Sequence, residues 1–126
     1  MAFYCEQFKT LRSAGEMLVS VYGLTERFPP EEKYVMVPLL RDTALSVFED
    51  ISFGLAGIHP NHRMQFLLRT RRHLEELHAR FALCHSLGLL NDGTYSEFMN
   101  RYSLFRSELS ELLKDLRDHN SEPPAR

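Results

Sequence analysis

The sequence predicts an all-α fold, an up-down-up-down antiparallel four-helix bundle. Apolar residues recur with a period of about 3.6 through most of the chain, which is typical of amphipathic helices. Proline and glycine cluster at three places, and these breaks divide the chain into four helical segments. The breaks are Phe28-Pro29-Pro30, residues 54–60 and residues 88–93. Because the connections are only about five residues long, sequential helices are expected to lie antiparallel.

The four helices are expected to form a single domain over residues 1–118, followed by a disordered tail over residues 119–126 that has two prolines and no apolar anchor. The predicted helices span about 8–27, 32–56, 61–87 and 92–118. The first, third and fourth segments each carry a single apolar stripe. Gly88 is a natural left-handed C-cap for the third helix, and Asp92 can cap the fourth.

The second segment is unusually apolar, since only four of the 25 residues from Tyr34 to Ile58 are charged. A helix that is apolar almost all round is buried on more than one side. The bundle core explains one side, and a second subunit is expected to cover the other. The residues predicted to lie at subunit contacts are Val35, Leu39, Leu45 and Phe53. Pro38 interrupts this segment, so the regular helix is expected to begin near Met36 or to bend there.

Composition excludes several classes of protein. The 126 residues include 15 Lys and Arg against 17 Asp and Glu, which leaves no diffuse basic field of the kind that many nucleic-acid-binding domains carry. Cys5 and Cys84 are far apart and form no disulfide framework, which favours a reducing, cytoplasmic location. No leader and no apolar stretch of about 18 residues is present, so neither secretion nor a membrane is expected.

Two histidine patterns resemble metal-binding motifs but fail on spacing or number. Glu75-Glu76-Leu77-His78 supplies one Glu-x-x-His unit, whereas a ferritin-like site needs two such units and two further glutamates. His73 and His78 are five residues apart, one too many for a zinc-protease helix. No nucleophile elbow or phosphate-binding loop is present either, so we expect no metal, no cofactor and no catalysis. The alternative is a metal- or small-molecule-binding bundle with enzymatic activity that uses the histidines of the third helix.

The third helix carries a local positive charge. Residues 59–85 hold five arginines against two glutamates, an excess of three positive charges. The candidates for a weak contact with RNA or DNA share one angular sector of this helix and are His62, Arg69, Arg72, His73 and Arg80. Glu76 lies in the same sector and can pair with Arg72 or Arg80, so a solvated, ion-paired face is the competing interpretation.

Several short segments together resemble a known family. They are Val21-Tyr22-x-Leu24-Thr25, Phe28-Pro29-x-Glu31-Glu32, Leu40-Arg41-x-x-Ala44-x-Ser46-Val47, Ile51-x-x-Gly54, Leu74-Glu75-Glu76-Leu77 and Leu87-Gly88-x-Leu90. On these residues the chain resembles the four-helix-bundle proteins encoded by intervening sequences within bacterial 23S rRNA genes. The resemblance implies a bundle that assembles into a ring, typically a pentamer. Relatives of the family include the accessory protein of diversity-generating retroelements, which is thought to bind nucleic acid and a reverse transcriptase.

The chain departs from the family pattern at four positions. Leu11 replaces a usual Trp, Phe48 a Pro, Asp50 an Asn and Phe53 a Glu. Many relatives are basic, whereas this chain has a formal net charge of −2. The fold and the assembly therefore carry over from the resemblance more directly than a role in RNA binding. The sequence predicts a non-enzymatic homo-oligomeric scaffold or macromolecule-binding module, with nucleic acid as the expected partner by analogy.

Overall fold

A computed structural model describes residues 2–57 and 59–120, with side chains from residue 8 to residue 118 apart from residue 58. These residues form four α-helices and one short 3-10 helix. The α-helices are α1 (Ala2–Thr25), α2 (Met36–Ala56), α3 (Pro60–Ser86) and α4 (Asp92–Asn120), and the 3-10 helix spans Pro30–Glu32. The predicted all-α four-helix fold is confirmed.

Three predicted helix boundaries need correction. The first helix begins at Ala2 rather than near residue 8, because residues 2–7 contain no glycine or proline that would stop it. The second begins at Met36 rather than at the residue 32 of the predicted span, which confirms the start expected from Pro38; Pro38 lies in the first turn, where a missing N–H is tolerated. The fourth continues to Asn120, two residues into the predicted tail. The rest of that tail, residues 121–126, lies outside the described residues.

Neighbouring helices run antiparallel. Thr43 near the start of α2 contacts Arg80 near the end of α3, whereas Phe53 near the end of α2 contacts Phe66 near the start of α3. The other neighbouring pairs follow the same order. Their contacts are Arg41 with Thr25 between α2 and α1, Phe81 with Phe98 between α3 and α4, and Arg101 with Glu16 between α4 and α1. The chain therefore forms an up-down-up-down bundle in which α4 closes against α1.

The core fills the space between the four helices. Its largest fully buried side chains are Met17, Leu24, Leu40, Ile51, Leu67, Leu74, Leu77, Phe81, Phe98, Phe105, Leu109 and Leu112. Phe81 and Phe98 stack at its centre with ring centroids 4.0 Å apart. Each such side chain contributes roughly 1.5 to 3 kcal/mol by leaving water. The free thiol of Cys84 is also buried, and this burial raises its pKa to about 11.

Local residues cap the end of α3 and the start of α4. Gly88 takes a φ of +78°, and the N–H of Leu89 donates to the carbonyl of Cys84 at 3.0 Å, so the predicted left-handed C-cap of α3 is confirmed. The predicted cap of α4 is wrong by one residue. Asn91 Oδ1 accepts from the N–H of Thr94 at 2.8 Å, and Asp92 is the first helical residue.

Gly54 and Gly23 offer a matched test of the α2–α3 contact. A Cβ at Gly54 would lie 3.1 Å from Leu67 Cδ2 and 3.2 Å from Phe66 Cβ, whereas a Cβ at Gly23 would meet nothing within 4 Å. Alanine favours a helix over glycine by roughly 0.5 to 1 kcal/mol. We expect Gly23→Ala to raise the free energy of unfolding by about that amount, and Gly54→Ala to lower it by about 1 kcal/mol through overpacking. Urea denaturation followed by circular dichroism measures the free energy of unfolding of both variants. If Gly54→Ala raised it as much as Gly23→Ala, the close approach of α3 to Gly54 would be disproved.

Candidate functional site

A buried carboxylate joins α2 to α3. The side chain of Asp50 is only 7% exposed, and its Oδ2 lies 2.6 Å from Nδ1 of His73. Its Oδ1 lies 3.7 Å from Nη2 of Arg69, whose guanidinium also packs over the ring of Phe66. A buried carboxylate needs such partners because it has left its hydration shell. Two of the residues predicted to contact nucleic acid are therefore engaged inside the chain.

The other three candidates on α3 have different surroundings. Arg80 donates to the hydroxyl of Thr43, which itself donates to the carbonyl of Leu39 at 2.7 Å. The ring of His62 is exposed and lies edge-on to Phe66. Arg72 is exposed, and among the described residues neither it nor Arg80 pairs with Glu76. The structure thus brings His62, Arg69 and His73 together beside α2 and separates them from Arg72.

A second group of charged residues lies between α3 and α4. Glu75 Oε1 accepts a hydrogen bond from the Tyr102 hydroxyl at 2.8 Å and lies 3.3 Å from Nε of Arg106. The sequence suggested instead that Glu75 pairs with Arg71, one turn away. Tyr102 and Arg106 of α4 pair with Glu75 in place of Arg71, because the packing of α4 on α3 brings them to this carboxylate. Burial and the adjacent Glu75 raise the pKa of Tyr102 to about 12, so the phenol keeps its proton as a donor.

Glu75 and Arg106 also line a cleft of about 470 Å³ on the surface. The other residues that line it are Leu68, Arg71, Arg72, Leu109 and Ser110. Within the described part of the chain, no ion pair or hydrogen bond occupies the side chain of Arg71 or Arg72. Sequence reasoning missed this cleft, because only the packing of α4 on α3 brings Arg106 beside Arg71.

Two further histidines of α3 contact aromatic residues of α4, and the ring of His85 lies edge-on to that of Tyr95 with centroids 4.4 Å apart. His78 stacks on the ring of Tyr102 with centroids 4.3 Å apart, and His85 Nε2 lies 2.6 Å from Oδ1 of Asp92. Across residues 2–57 and 59–120, no three His, Cys, Asp or Glu side chains lie close enough together to hold one metal ion.

Four large apolar side chains on α2 and at its N-cap are partly exposed, and one of them, Phe53, also contacts Phe66 of α3. Val35 is 63% exposed, Leu39 and Leu45 are each 39% exposed, and Phe53 is 57% exposed. We call these four residues the α2 outer face. The exposed carboxylates of Asp42 and Glu49 lie between them along the helix. Among the helices that the structure describes, none is long and apolar enough to span a membrane.

The chain is an antiparallel four-helix bundle with charged side chains on α3 and exposed apolar side chains on α2. The family model of the 23S rRNA-intervening sequence proteins matches residues 6–112. The chain therefore belongs to the 23S rRNA-intervening sequence protein family.

A solved structure supports the same fold. A protein of unknown function from the S23 ribosomal protein family of Bacteroides thetaiotaomicron superposes with a TM-score of 0.72. It is 15% identical to this chain, and the match covers 90% of this chain and 99% of the other. No curated protein matches the sequence significantly.

A double-mutant cycle tests the contact between Asp50 and His73. We expect Asp50→Asn and His73→Gln each to destabilise the protein, with a coupling of about 0.5 to 3 kcal/mol between them, because removing one partner leaves the other unpaired in a buried site. Urea denaturation of the four proteins gives this value. The control cycle combines His73→Gln with Glu49→Gln, which alters an exposed carboxylate one residue before Asp50. We expect no coupling between these two changes. Additive effects of the Asp50 and His73 changes would contradict the contact.

Proposed function

We propose that this chain is a non-enzymatic, cytoplasmic scaffold that assembles into a ring of five subunits and contacts nucleic acid weakly. The observation that supports assembly is the α2 outer face, where four large apolar side chains stay in contact with water in the single chain. The family resemblance supports the ring and the number five.

The α2 outer face has the properties of a subunit contact. Leu39, Leu45 and Phe53 lie on α2 and Val35 directly precedes it, so a neighbouring subunit can cover them together. Each gains part of the roughly 1.5 to 3 kcal/mol that full burial of such a side chain provides, because each is already partly buried. Repeated at each contact, this gain offsets the entropy lost on association. Because a ring needs heterologous contacts, the α2 outer face of one subunit packs on a different face of the next.

The proposed contact with nucleic acid rests on the arginines of α3. Each arginine that meets a phosphate releases counterions, which makes binding dependent on salt and tolerant of sequence. Arg72 is exposed and the side chain of Arg69 is half exposed. Arg80 is half-buried against Thr43. A single subunit therefore offers few free charges, and a ring multiplies them.

Single substitutions on the α2 outer face test the assembly. Light scattering at micromolar concentration is expected to give about five times the 14.7 kDa of one chain. Leu39→Asp and Phe53→Asp are each expected to lower that mass while the helical circular dichroism remains, because a carboxylate at a subunit contact must lose its hydration.

The control variant for assembly is Leu104→Asp, which alters an exposed leucine of α4 and is expected to keep the wild-type mass. A wild-type mass equal to one chain would contradict the proposal. Dissociation by Leu104→Asp to the same extent would contradict the assignment to α2.

Replacement of three arginines tests the contact with nucleic acid. The triple change of Arg69, Arg72 and Arg80 to Ala is expected to lower the slope of log K against log salt for a structured RNA by up to about 2 to 3. Fluorescence anisotropy across a salt series measures the slope.

A triple change of Arg12, Arg101 and Arg117 to Ala removes the same charge from other helices and serves as the control. If the wild-type protein fails to bind RNA even at low salt, the α3 arginines are only a solvated face.

A further inference from the structure

The cleft between α3 and α4 has an unbalanced charge. Three guanidinium groups border it, those of Arg71, Arg72 and Arg106, and one carboxylate, that of Glu75, which leaves two positive charges in excess. Like charges held together in a shared cleft repel one another, and an anion that enters removes this repulsion. Because Arg71 and Arg72 have no ion pair or hydrogen bond with another side chain that the structure describes, their donors are available to such an anion.

The third guanidinium, that of Arg106, forms an ion pair with Glu75. Glu75 Oε1 accepts a hydrogen bond from the Tyr102 hydroxyl at 2.8 Å and lies 3.3 Å from Nε of Arg106. The ion pair uses only the Nε of Arg106, so the two terminal nitrogens of its planar fork remain available for oxygen atoms of a ligand. The Tyr102–Glu75 pair therefore positions Arg106 at the border of the cleft.

The remaining walls indicate a ligand with a less polar part. Ser110, one helical turn after Arg106, adds a hydroxyl to the lining, and the exposed side chain of Leu68 presents apolar surface there. The volume of about 470 Å³ falls in the range of small-molecule sites, roughly 300 to 1,000 Å³.

We propose that this cleft binds a phosphate monoester through Arg71, Arg72, Arg106 and Ser110. A monoester carries close to two negative charges at neutral pH, which matches the excess of two positive charges, whereas a phosphodiester carries only one. Guanidinium groups are suited to phosphate oxygens because each offers parallel N–H donors. This site shares Arg72 with the proposed contact with nucleic acid but does not depend on Arg69 or Arg80, whose side chains contact Asp50 and Thr43 of α2.

Calorimetric titration of the full chain with adenosine 5′-monophosphate tests the site. The nucleotide is expected to bind, and adenosine, which lacks the phosphate, is expected not to bind. Arg71→Gln and Arg106→Gln should each weaken binding at least tenfold, while Arg71→Lys, which keeps the charge but not the fork, should lose less. Arg69→Gln is the matched control, since it removes one arginine of α3 on the side of α2. Thermal unfolding by circular dichroism shows that each variant remains folded.

Competition with short RNAs identifies the source of the phosphate. If a 5′-phosphorylated RNA displaces the nucleotide and its 5′-hydroxyl counterpart does not, the site accepts a terminal phosphate of either origin. If neither RNA displaces the nucleotide, the site is restricted to small phosphomonoesters. Each of these two outcomes supports the proposal. Three results would overturn the proposal. The nucleotide could fail to bind, Arg69→Gln could weaken nucleotide binding as much as Arg71→Gln does, or the 5′-hydroxyl RNA could compete as well as the 5′-phosphorylated RNA. A double variant, Arg69→Ala with Arg80→Ala, leaves the cleft residues unchanged, so weaker RNA binding with nucleotide binding retained in this variant separates the site from the α3 contact.

Discussion

The contact between α2 and α3 constrains the rest of the structure, because it combines a close approach of two helices with a buried charge. Gly54 lets α3 come within reach of the α2 backbone, and a side chain there would meet Leu67 and Phe66. One turn earlier, Asp50 is withdrawn from water and depends on His73 for its main polar contact. A shift of one helix along the other would separate this pair and leave a buried carboxylate without a partner. The pair therefore fixes the register of α2 on α3.

This register divides the basic residues of α3 between two sides. Arg69, His73 and Arg80 face α2, where the carboxylate of Asp50 and the hydroxyl of Thr43 use their donors. Arg71 and Arg72 line the cleft beside α4, where the only lining carboxylate among the described residues is the already occupied Glu75. The positive charge that the sequence places on one helix is thus partly neutralised on one side and concentrated on the other.

The same arrangement explains why α2 keeps an uncovered apolar face. Its inner residues pack in the core, and its flanks contact α1 and α3, so three sides of the helix are used. The remaining side carries Val35, Leu39 and Leu45 with two acidic residues between them, and Phe53 stays exposed beside its contact with Phe66 of α3. A helix in a four-helix bundle normally places polar residues on this side. The apolar character of α2 is therefore more than the fold of a single chain requires.

The sequence by itself determined the number of helices, the antiparallel order and most of the core, because these follow from apolar periodicity and from proline and glycine at the connections. Gly88 was recognisable as a C-cap because a left-handed residue after a helix is nearly always glycine. Local interactions on one helix were predicted less well. Glu75 and Arg71 are correctly spaced for a pair, yet Tyr102 and Arg106 take that carboxylate.

The tertiary structure alone decided which charged side chains are free, because the partners of Asp50, Glu75 and Arg80 come from helices distant in the sequence. Helical spacing gives the angle at which a side chain leaves its own helix but not the group that meets it. The cleft at Arg106 could not be found from the sequence for the same physical reason: its charges approach one another only when α4 packs on α3.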